Sequence, residues 1–347
     1  MLEDRRFKSI TSYGDHEPRE RAMLDSILST SIISKFQSIS DLLERHANTR
    51  PTQTAYVFRD HVNQQDVQLT YSDLRHRVSF AADKLYSRFN VGQRVALFYP
   101  TGIDLVISLL GCLQAGITAI PLAPTQNPDG DHDCNFPDIT ADSVVSGMLT
   151  TDYFVAEMQK QCPDLDVVDP NEDFPQVCPA MFEASPHSEA LAIYTQSESG
   201  TLCASVFTHG DLISRLKAIQ NRFRFDDQTK LVSCMPLTSE TGIFGNILMP
   251  IFTGGTSIFM TPYDALRRPL NWLETIDQFS ADAGSAPNLV YALCTAEPQI
   301  PDSLTLSSIR TLFTDLNDHQ SDSFGLFESN FSRNGLAPNV FQSMFEF

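Results

Sequence analysis

From Phe36 to Pro121 the hydrophobic positions alternate between two periods. Phe36 to Ala47 carries Ile39, Leu42 and Leu43 on one face at helical spacing. Two short apolar runs, Ala55–Phe58 and Val67–Tyr71, flank a polar turn and predict strands. Ser72 to Phe89 returns to helical spacing through Leu74, Val78, Ala82 and Leu85. Arg94–Tyr99 predicts a strand, Gly102–Gly116 a helix burying Leu105, Leu109, Leu110 and Leu113, and Thr118–Pro121 another strand. Strands alternating with helices of this length indicate an α/β fold with mixed, mostly parallel sheets.

The pattern weakens over residues 124–190, which carry many Asp and Pro residues and one basic residue, Lys160. Within them Val144–Thr150 and Tyr153–Gln161 still read as a strand–helix pair, and Asp164–Pro186 as an exposed connection. From Ala190 the α/β pattern resumes. Leu231–Cys234, Ser257–Phe259 and Thr311–Phe313 predict strands. Gly210–Phe223, Gly242–Phe252, Leu270–Phe279 and Pro287–Leu293 predict helices. The organisation expected is a leader over 1–35, a first α/β subdomain with its acidic connection over 36–185, and a second over 186–347. No internal repeat or low-complexity tract is present.

Charge narrows the function classes. Among 347 residues, 24 Lys and Arg face 43 Asp and Glu, a net charge of −19. Nucleic acid and anionic membrane surfaces both require neutralised phosphates, so neither is expected as a partner. A solvated surface or a docking face for a basic protein fits better. The seven cysteines are odd in number and contain no CxxC pair. The opening MLEDRRFKSI is charged throughout, and the longest apolar stretch, Val95–Pro124, is broken by Pro100, Asp104 and glycines. No membrane span is expected, and the expected compartment is a reduced cytoplasm.

The stretch with most chemical content is Tyr194–His209, YTQSESGTLCASVFTH. An apolar run (Ala190, Leu191, Ala192, Ile193) leads into small residues and then Val206-Phe207-Thr208-His209. A phosphate cradle needs small residues, so that backbone N–H groups reach the oxygens, and a cation. Thr195, Gln196, Ser197, Glu198, Ser199, Gly200, Thr201 and Cys203 form the candidate loop, with one glycine and no cation. No Lys or Arg occurs between Lys160 and Arg215.

Several segments together resemble the adenylate-forming enzymes, most closely the fatty acyl-AMP ligases. They are LTYSDL with VGQRVALFYPTGIDLVISLLGCLQAGITAIPL, CMPLTSETGIFGNILMPIFTGG, RRPLNWLE, SAPNLVYALC and SLTLSSIRTLF. The resemblance covers roughly residues 36–347. It implies the large N-terminal region of that family, two α/β subdomains flanking a cleft. The family adds a smaller C-terminal domain carrying an adenylation lysine. This chain ends before that domain begins, so the expectation is an N-terminal region alone.

Against the family's T-S-G-S-T-G-x-P-K-G loop, the first serine becomes Gln196, the following serine Glu198 and the lysine Cys203. A unit charge changed at about 4 Å is worth roughly 1 to 4 kcal/mol at surface-like dielectrics. Losing the lysine and gaining Glu198 act in the same direction. The His-Asp of the channel motif becomes Ser239-Glu240. The adenine-contacting motif becomes Thr314-Asp315-Leu316 and onward. The metal-holding Tyr-Gly-x-x-Glu becomes Met344-Phe345-Glu346-Phe347. By the resemblance, Ser239, Glu240, Gly242, Ile243, Met249, Ala286, Pro287, Asn288 and Tyr291 are possible acyl-channel residues. Core packing is the competing reading for the apolar ones.

The resulting expectation is a catalytically impaired ligase-like protein that binds an acyl chain, a synthase, an acyl carrier protein or an intact ligase, with no catalytic residue and no metal site. One alternative is half of a split ligase, for which alone ATP and Mg²⁺ are expected. Another is a homo-oligomer assembled through Val340–Phe347. Cys203 as a nucleophile lacks the neighbouring cations that lower a thiol pKa, so a plain loop cysteine is preferred. His209 reads as a helix start rather than a base. Asp131, His132 and Asp133 read as a solvated turn rather than a metal site. A Ser199/Glu198/His209 triad lacks a G-x-S-x-G elbow.

Overall fold

The fold is built from two sheets that draw strands from both ends of the chain. The computed structural model describes residues 38–61, 65–126, 132–133, 139, 144–170, 182–196, 202–314 and 322–345. The leader, 1–35, lies outside the described residues. The first elements are α1 (Ile39–Thr49), β1 (Thr54–Arg59), β2 (Val67–Thr70), α2 (Tyr71–Arg88), β3 (Arg94–Phe98), α3 (Ile103–Ala115) and β4 (Thr118–Leu122). A small ladder, β5 (Thr125–Gln126) with β6 (His132–Asp133), precedes β7 (Val145–Thr150), α4 (Asp152–Gln161) and β8 (Asp166–Val168). Then come β9 (Glu189–Gln196), β10 (Leu202–Thr208), α5 (His209–Phe223) and β11 (Lys230–Ser233). A π-helical turn, Gly242–Leu248, continues into α6 (Met249–Thr253). The remainder is β12 (Thr256–Met260), α7 (Pro262–Arg267), α8 (Leu270–Phe279), β13 (Ala283–Ser285), α9 (Asn288–Ala296), β14 (Thr311–Phe313), α10 (Asp322–Phe331) and β15 (Phe341–Gln342).

One sheet runs β15-β14-β13-β11-β12-β1-β2, parallel except for the β1–β2 edge hairpin. The other runs β10-β9-β4-β3-β7-β8, parallel except for the β9–β10 edge hairpin. Each sheet therefore takes strands from both sides of residue 186. The early hairpin β1–β2 adds to β12, and β9–β10 adds back to β4. Adding an edge to a remote sheet buries an apolar strand face that a two-stranded hairpin cannot bury alone.

The helix starts are written into the sequence. Thr70 and Asp73 form a reciprocal capping box at α2, and Thr208 and Asp211 form another at α5. These bonds hold the Asp73 and Asp211 carboxyls below their ordinary values. The C-cap of α6 is Gly254 at φ 86°, where a Cβ would also meet the Arg50 and His46 side chains. Two expectations change. Asp164–Pro186 contains β8, whose Val167 and Val168 are buried against the sheet, because pairing with β7 outweighs its acidic flanks. Gly242–Phe252 begins as a π-helix rather than an α-helix.

Candidate functional site

In open α/β sheets the carboxyl ends of parallel strands are the natural place for a ligand. Here β11 runs on to Ser239 and Glu240, β13 to Ala286, Pro287 and Asn288, and β14 to Thr314. Parallel pairing of these three strands brings groups far apart in sequence to one sheet edge. The buried Thr314 hydroxyl donates to the Asn288 side-chain oxygen. The Ala286 amide donates to the Phe313 carbonyl at 3.2 Å. Below them Ser285 Oγ donates to Ser233 Oγ at 2.7 Å, and Asn246 Nδ2 reaches Ser285 Oγ at 3.4 Å. Asp315 and Leu316 lie outside the described residues.

The candidate phosphate loop is the tip of the β9–β10 hairpin. Thr195 and Gln196 end β9, and Thr195 pairs in register with Cys203. Ser197, Glu198, Ser199, Gly200 and Thr201 lie outside the described residues. Cys203 is an exposed strand residue rather than a loop residue, since the ladder extends through Leu202–Gln196. Strand alternation puts Cys203, Ser205 and Phe207 on one face of β10. His209 does begin α5, as expected. Its ring is buried beside Phe182 with neither nitrogen hydrogen-bonded among the described residues, and burial lowers its pKa to about 4. It is neutral at ordinary pH.

The Phe207 face of β10 meets the π-helical turn, with Phe207 and Phe244 rings edge to face at 5.3 Å. Glu240 stands beside this junction, and Arg215 Nη2 of α5 lies 2.5 Å from Glu240 Oε1. The guanidinium also sits over three rings, 5.4 Å from Phe207, 4.9 Å from Phe244 and 4.4 Å from Phe345. Burial raises the Glu240 carboxyl above its ordinary value, and the Arg215 charge pulls against that rise. Ser239 is occupied locally. Its hydroxyl donates to the Pro236 carbonyl at 2.8 Å and accepts from the Gly242 amide at 3.0 Å.

The apolar residues assigned to a channel are tightly packed. Gly242, Ile243 and Met249 are buried, and Tyr291 is enclosed by Trp272, Phe324, Phe327 and Phe341. A Cβ on Gly242 would collide with the Pro236 carbonyl, and one on Gly245 would meet Met344 Cε at 2.7 Å. The close approach these glycines allow is thus that of the chain itself.

Among the described residues no group of three or more His, Cys, Asp and Glu side chains is placed to hold a metal. Among the described residues Glu240 is paired with the Arg215 guanidinium.

Arg215 is the charged side chain at this junction that the motif pattern misses. The signal for it is helical spacing. Leu212, Leu216 and Ile219 are the buried stripe of α5, and Arg215 lies three residues after Leu212 and four before Ile219. A charge on the core side of an amphipathic helix calls for a partner.

Residues 43–321 match the family model described as AMP-binding enzyme. The chain is 29% identical over 281 residues to a long-chain-fatty-acid–AMP ligase, FadD26, of Mycobacterium marinum, covering 74% of this chain and 46% of that protein. It is 26% identical over 299 residues to a 4-hydroxyphenylalkanoate adenylyltransferase of Mycobacterium tuberculosis, covering 80% and 48%. The chain therefore spans about half the length of the curated relatives it matches. Its fold matches a fatty acyl-adenylate ligase from L. pneumophila, solved with acyl adenylate and pyrophosphate, at a TM-score of 0.79 and 23% identity over 89% of this chain and 55% of that one. The McyG A-PCP structure with phenylalanyl-adenylate matches at 0.80 and 18%, over 88% and 57%. Among the described residues no helix is long and apolar enough to cross a membrane.

Proposed function

Because the chain belongs to the AMP-binding enzyme family, and within it is similar to fatty-acyl-AMP ligases, we propose that it is a region of an adenylate-forming protein impaired in adenylation. Its role is to bind an acyl chain or a protein partner. The partner classes are a synthase, an acyl carrier protein or an intact ligase.

The observation that carries this reading is the fate of Ser239. It stands where the resemblance expects an imidazole, and its hydroxyl is spent on its own turn, between Pro236 and Gly242. It offers neither a base nor a cation to a phosphate. Glu240, beside it, is committed to Arg215. Adenylation adds negative charge at the α-phosphate in the transition state, and that charge needs preorganised donors or cations. The described part of the hairpin supplies no cation, since Cys203 occupies the lysine position.

Calorimetry on the whole chain tests this with two ligands, MgATP and a non-hydrolysable long-chain acyl-adenylate analogue. The expected result is adenylate-analogue binding with ATP weaker than about 1 mM. ATP binding near 1 μM, or ATP–pyrophosphate exchange, would overturn the impairment and restore a ligase.

A further inference from the structure

A ligand-sized space opens elsewhere on the carboxyl edge of the larger sheet. It is a pocket of about 760 Å³ at the ends of β1 and β12, and none of its lining residues belongs to the site described above. The two strands run parallel and end in register, Arg59 beside Met260, so the chain leaves both on the same side. Such ends are where open α/β sheets place ligands. The volume is that of a small-molecule pocket. We propose that this pocket binds a phosphomonoester of a polyhydroxylated small molecule, of the sugar phosphate class, with its phosphate on Arg267 and Asn271 and its hydroxyls toward Asp66.

The lining has two sources of opposite character. The first is α7 and the start of α8, whose RRPLNWLE segment the candidate site does not use. Arg267 is exposed, and its guanidinium lies 5.7 Å from the Tyr263 ring. Among the described residues it has no carboxylate partner. Arg268 has a different task. Its Nη1 donates to Asn271 Oδ1 at 2.8 Å, and its Nη2 bonds Glu274 at 2.8 Å. The first of these bonds fixes the orientation of the Asn271 amide. Asn271 Nδ2, a donor, is then left without a protein partner among the described residues. Because Asn271 is only 8% exposed, that donor is held in place. Asp264, the acid on this side, is buried and accepts from the Thr261 hydroxyl at 2.7 Å. The helices therefore offer one guanidinium and one oriented amide N–H, both donors.

The second source is the β1–β2 edge hairpin. Arg59 is spent within it, its Nε 3.1 Å from Asp66 Oδ1 and its Nη1 donating to Gln278 at 2.7 Å. Asp66 keeps its second carboxylate oxygen as an acceptor, on a side chain that is 46% exposed. Asp60, which also lines the pocket, has a partner of its own. This side offers an acceptor. A bare anion would meet the hairpin carboxylates as well as the helix donors. A ligand with an oxyanion at one end and hydroxyls at the other satisfies both. A planar carboxylate is matched by the fork of a single guanidinium, whereas a tetrahedral phosphate accepts from donors that arrive from separate helices, as these two do. With a net charge of −19 the chain repels phosphates at long range, so an anion is held here only by donors placed against it.

The test is calorimetry on the whole chain, unsubstituted and as Arg267→Ala and Arg333→Ala, with glucose 6-phosphate, glucose and inorganic phosphate as probes. Arg333 lies on the exposed turn Ser332–Asn334, outside the pocket, so its loss changes the net charge equally and nothing else at the site. The expected order of affinity is glucose 6-phosphate, then inorganic phosphate, then glucose. A hydrogen bond from a guanidinium to an oxyanion is worth about 10- to 100-fold in affinity. Arg267→Ala should weaken glucose 6-phosphate by that factor, and Arg333→Ala by less than about twofold. Absence of glucose 6-phosphate binding to the unsubstituted chain, or equal losses in the two variants, overturns the site. Inorganic phosphate binding as tightly as glucose 6-phosphate overturns the role of the hydroxyls, and glucose binding as tightly overturns that of the phosphate. None of the probes is an acyl chain or a nucleotide, so the result is independent of the acyl-binding reading.

Discussion

Two aromatic clusters in this molecule treat their polar groups in opposite ways. In the first, Tyr291 is packed edge to face by Trp272 at 5.1 Å, Phe327 at 5.2 Å and Phe341 at 5.0 Å. Its hydroxyl donates to the Phe313 carbonyl at 2.8 Å, and the Trp272 indole N–H points at the Val232 carbonyl at 3.4 Å. Every polar group there is neutral and directed at backbone. In the second, Phe207, Phe244 and Phe345 surround a guanidinium whose Nε has no acceptor among the described residues. A neutral, satisfied hydroxyl costs a core little, whereas a charge there is expensive unless fully paired. The first cluster is stabilising core. The second carries a partly buried charge whose desolvation its single carboxylate partner must offset.

The largest test of that contrast falls on the first cluster. Trp272→Ala removes a fully buried indole from beneath the carboxyl-edge residues. It is expected to cost about 3–5 kcal/mol, read as a fall in the urea midpoint, and to unfold both sheets together. A loss below about 1 kcal/mol would mean that this cluster contributes no more than the other.

Acid should sharpen the comparison. His46 and His209 are both buried. Burial lowers both pKa values to about 4; at His46 the Arg50 and Arg45 charges push the same way. The unfolded chain takes up these protons near pH 6.5 and the folded chain only near 4. Stability is therefore full above about pH 6.5 and falls as pH drops toward 4. Each histidine contributes up to about 3 kcal/mol to that fall. His209 lies at the start of the helix that carries Arg215, and the Trp272–Tyr291 cluster contains no histidine. His209→Leu should flatten the dependence between pH 6.5 and 4, measured by denaturant melts at intervals of half a pH unit. An unchanged slope in that variant would remove His209 from the account.

Much of the fold was legible, and the reason is periodicity. Ile39, Leu42 and Leu43, then Leu74, Val78, Ala82 and Leu85, were read as core faces, and all are buried. The strands at 94–98 and 311–313 were found because apolar runs between turn residues have few other uses. What was not legible depends on remote partners. Ala283–Ser285 is too short and too small in side chain to announce a strand, and becomes one because β11 and β14 lie on either side. The same holds for Asp166–Val168 beside β7. At the candidate site, the motif frame picks out Ser239, Glu240, Asn288 and Thr314, which follow the carboxyl ends of β11, β13 and β14 in the chain. It did not reveal Arg215, because that residue belongs to no motif and finds Glu240 only through the packing of α5.

Glu240→Ala leaves Arg215 facing three rings with no counter-charge. Removing one partner of a buried pair costs about 3–5 kcal/mol, and the partial exposure of this pair scales that to about 1–2 kcal/mol. Differential scanning calorimetry should register it as a lowered Tm. A loss as large as that of Trp272→Ala would place the pair in the structural core instead.

The smallest expected change is also the most discriminating. Replacing both partners, Arg215→Met with Glu240→Gln, removes the charges and keeps comparable length on each side. A buried ion pair exchanged for apolar or neutral groups of similar volume is commonly neutral or stabilising. The double variant should therefore lie within about 1 kcal/mol of the unsubstituted chain, while each single variant is less stable than the double. The reason is that each single variant strands a group. Glu240 alone is a half-buried carboxyl whose burial already raises its pKa, and Arg215 alone is a cation with no carboxylate beside it. The double-mutant cycle then gives a coupling of about 1–2 kcal/mol between residues in direct contact. Additive losses would mean that Arg215 and Glu240 act through separate partners, and the second aromatic cluster would then differ from the first in composition but not in kind.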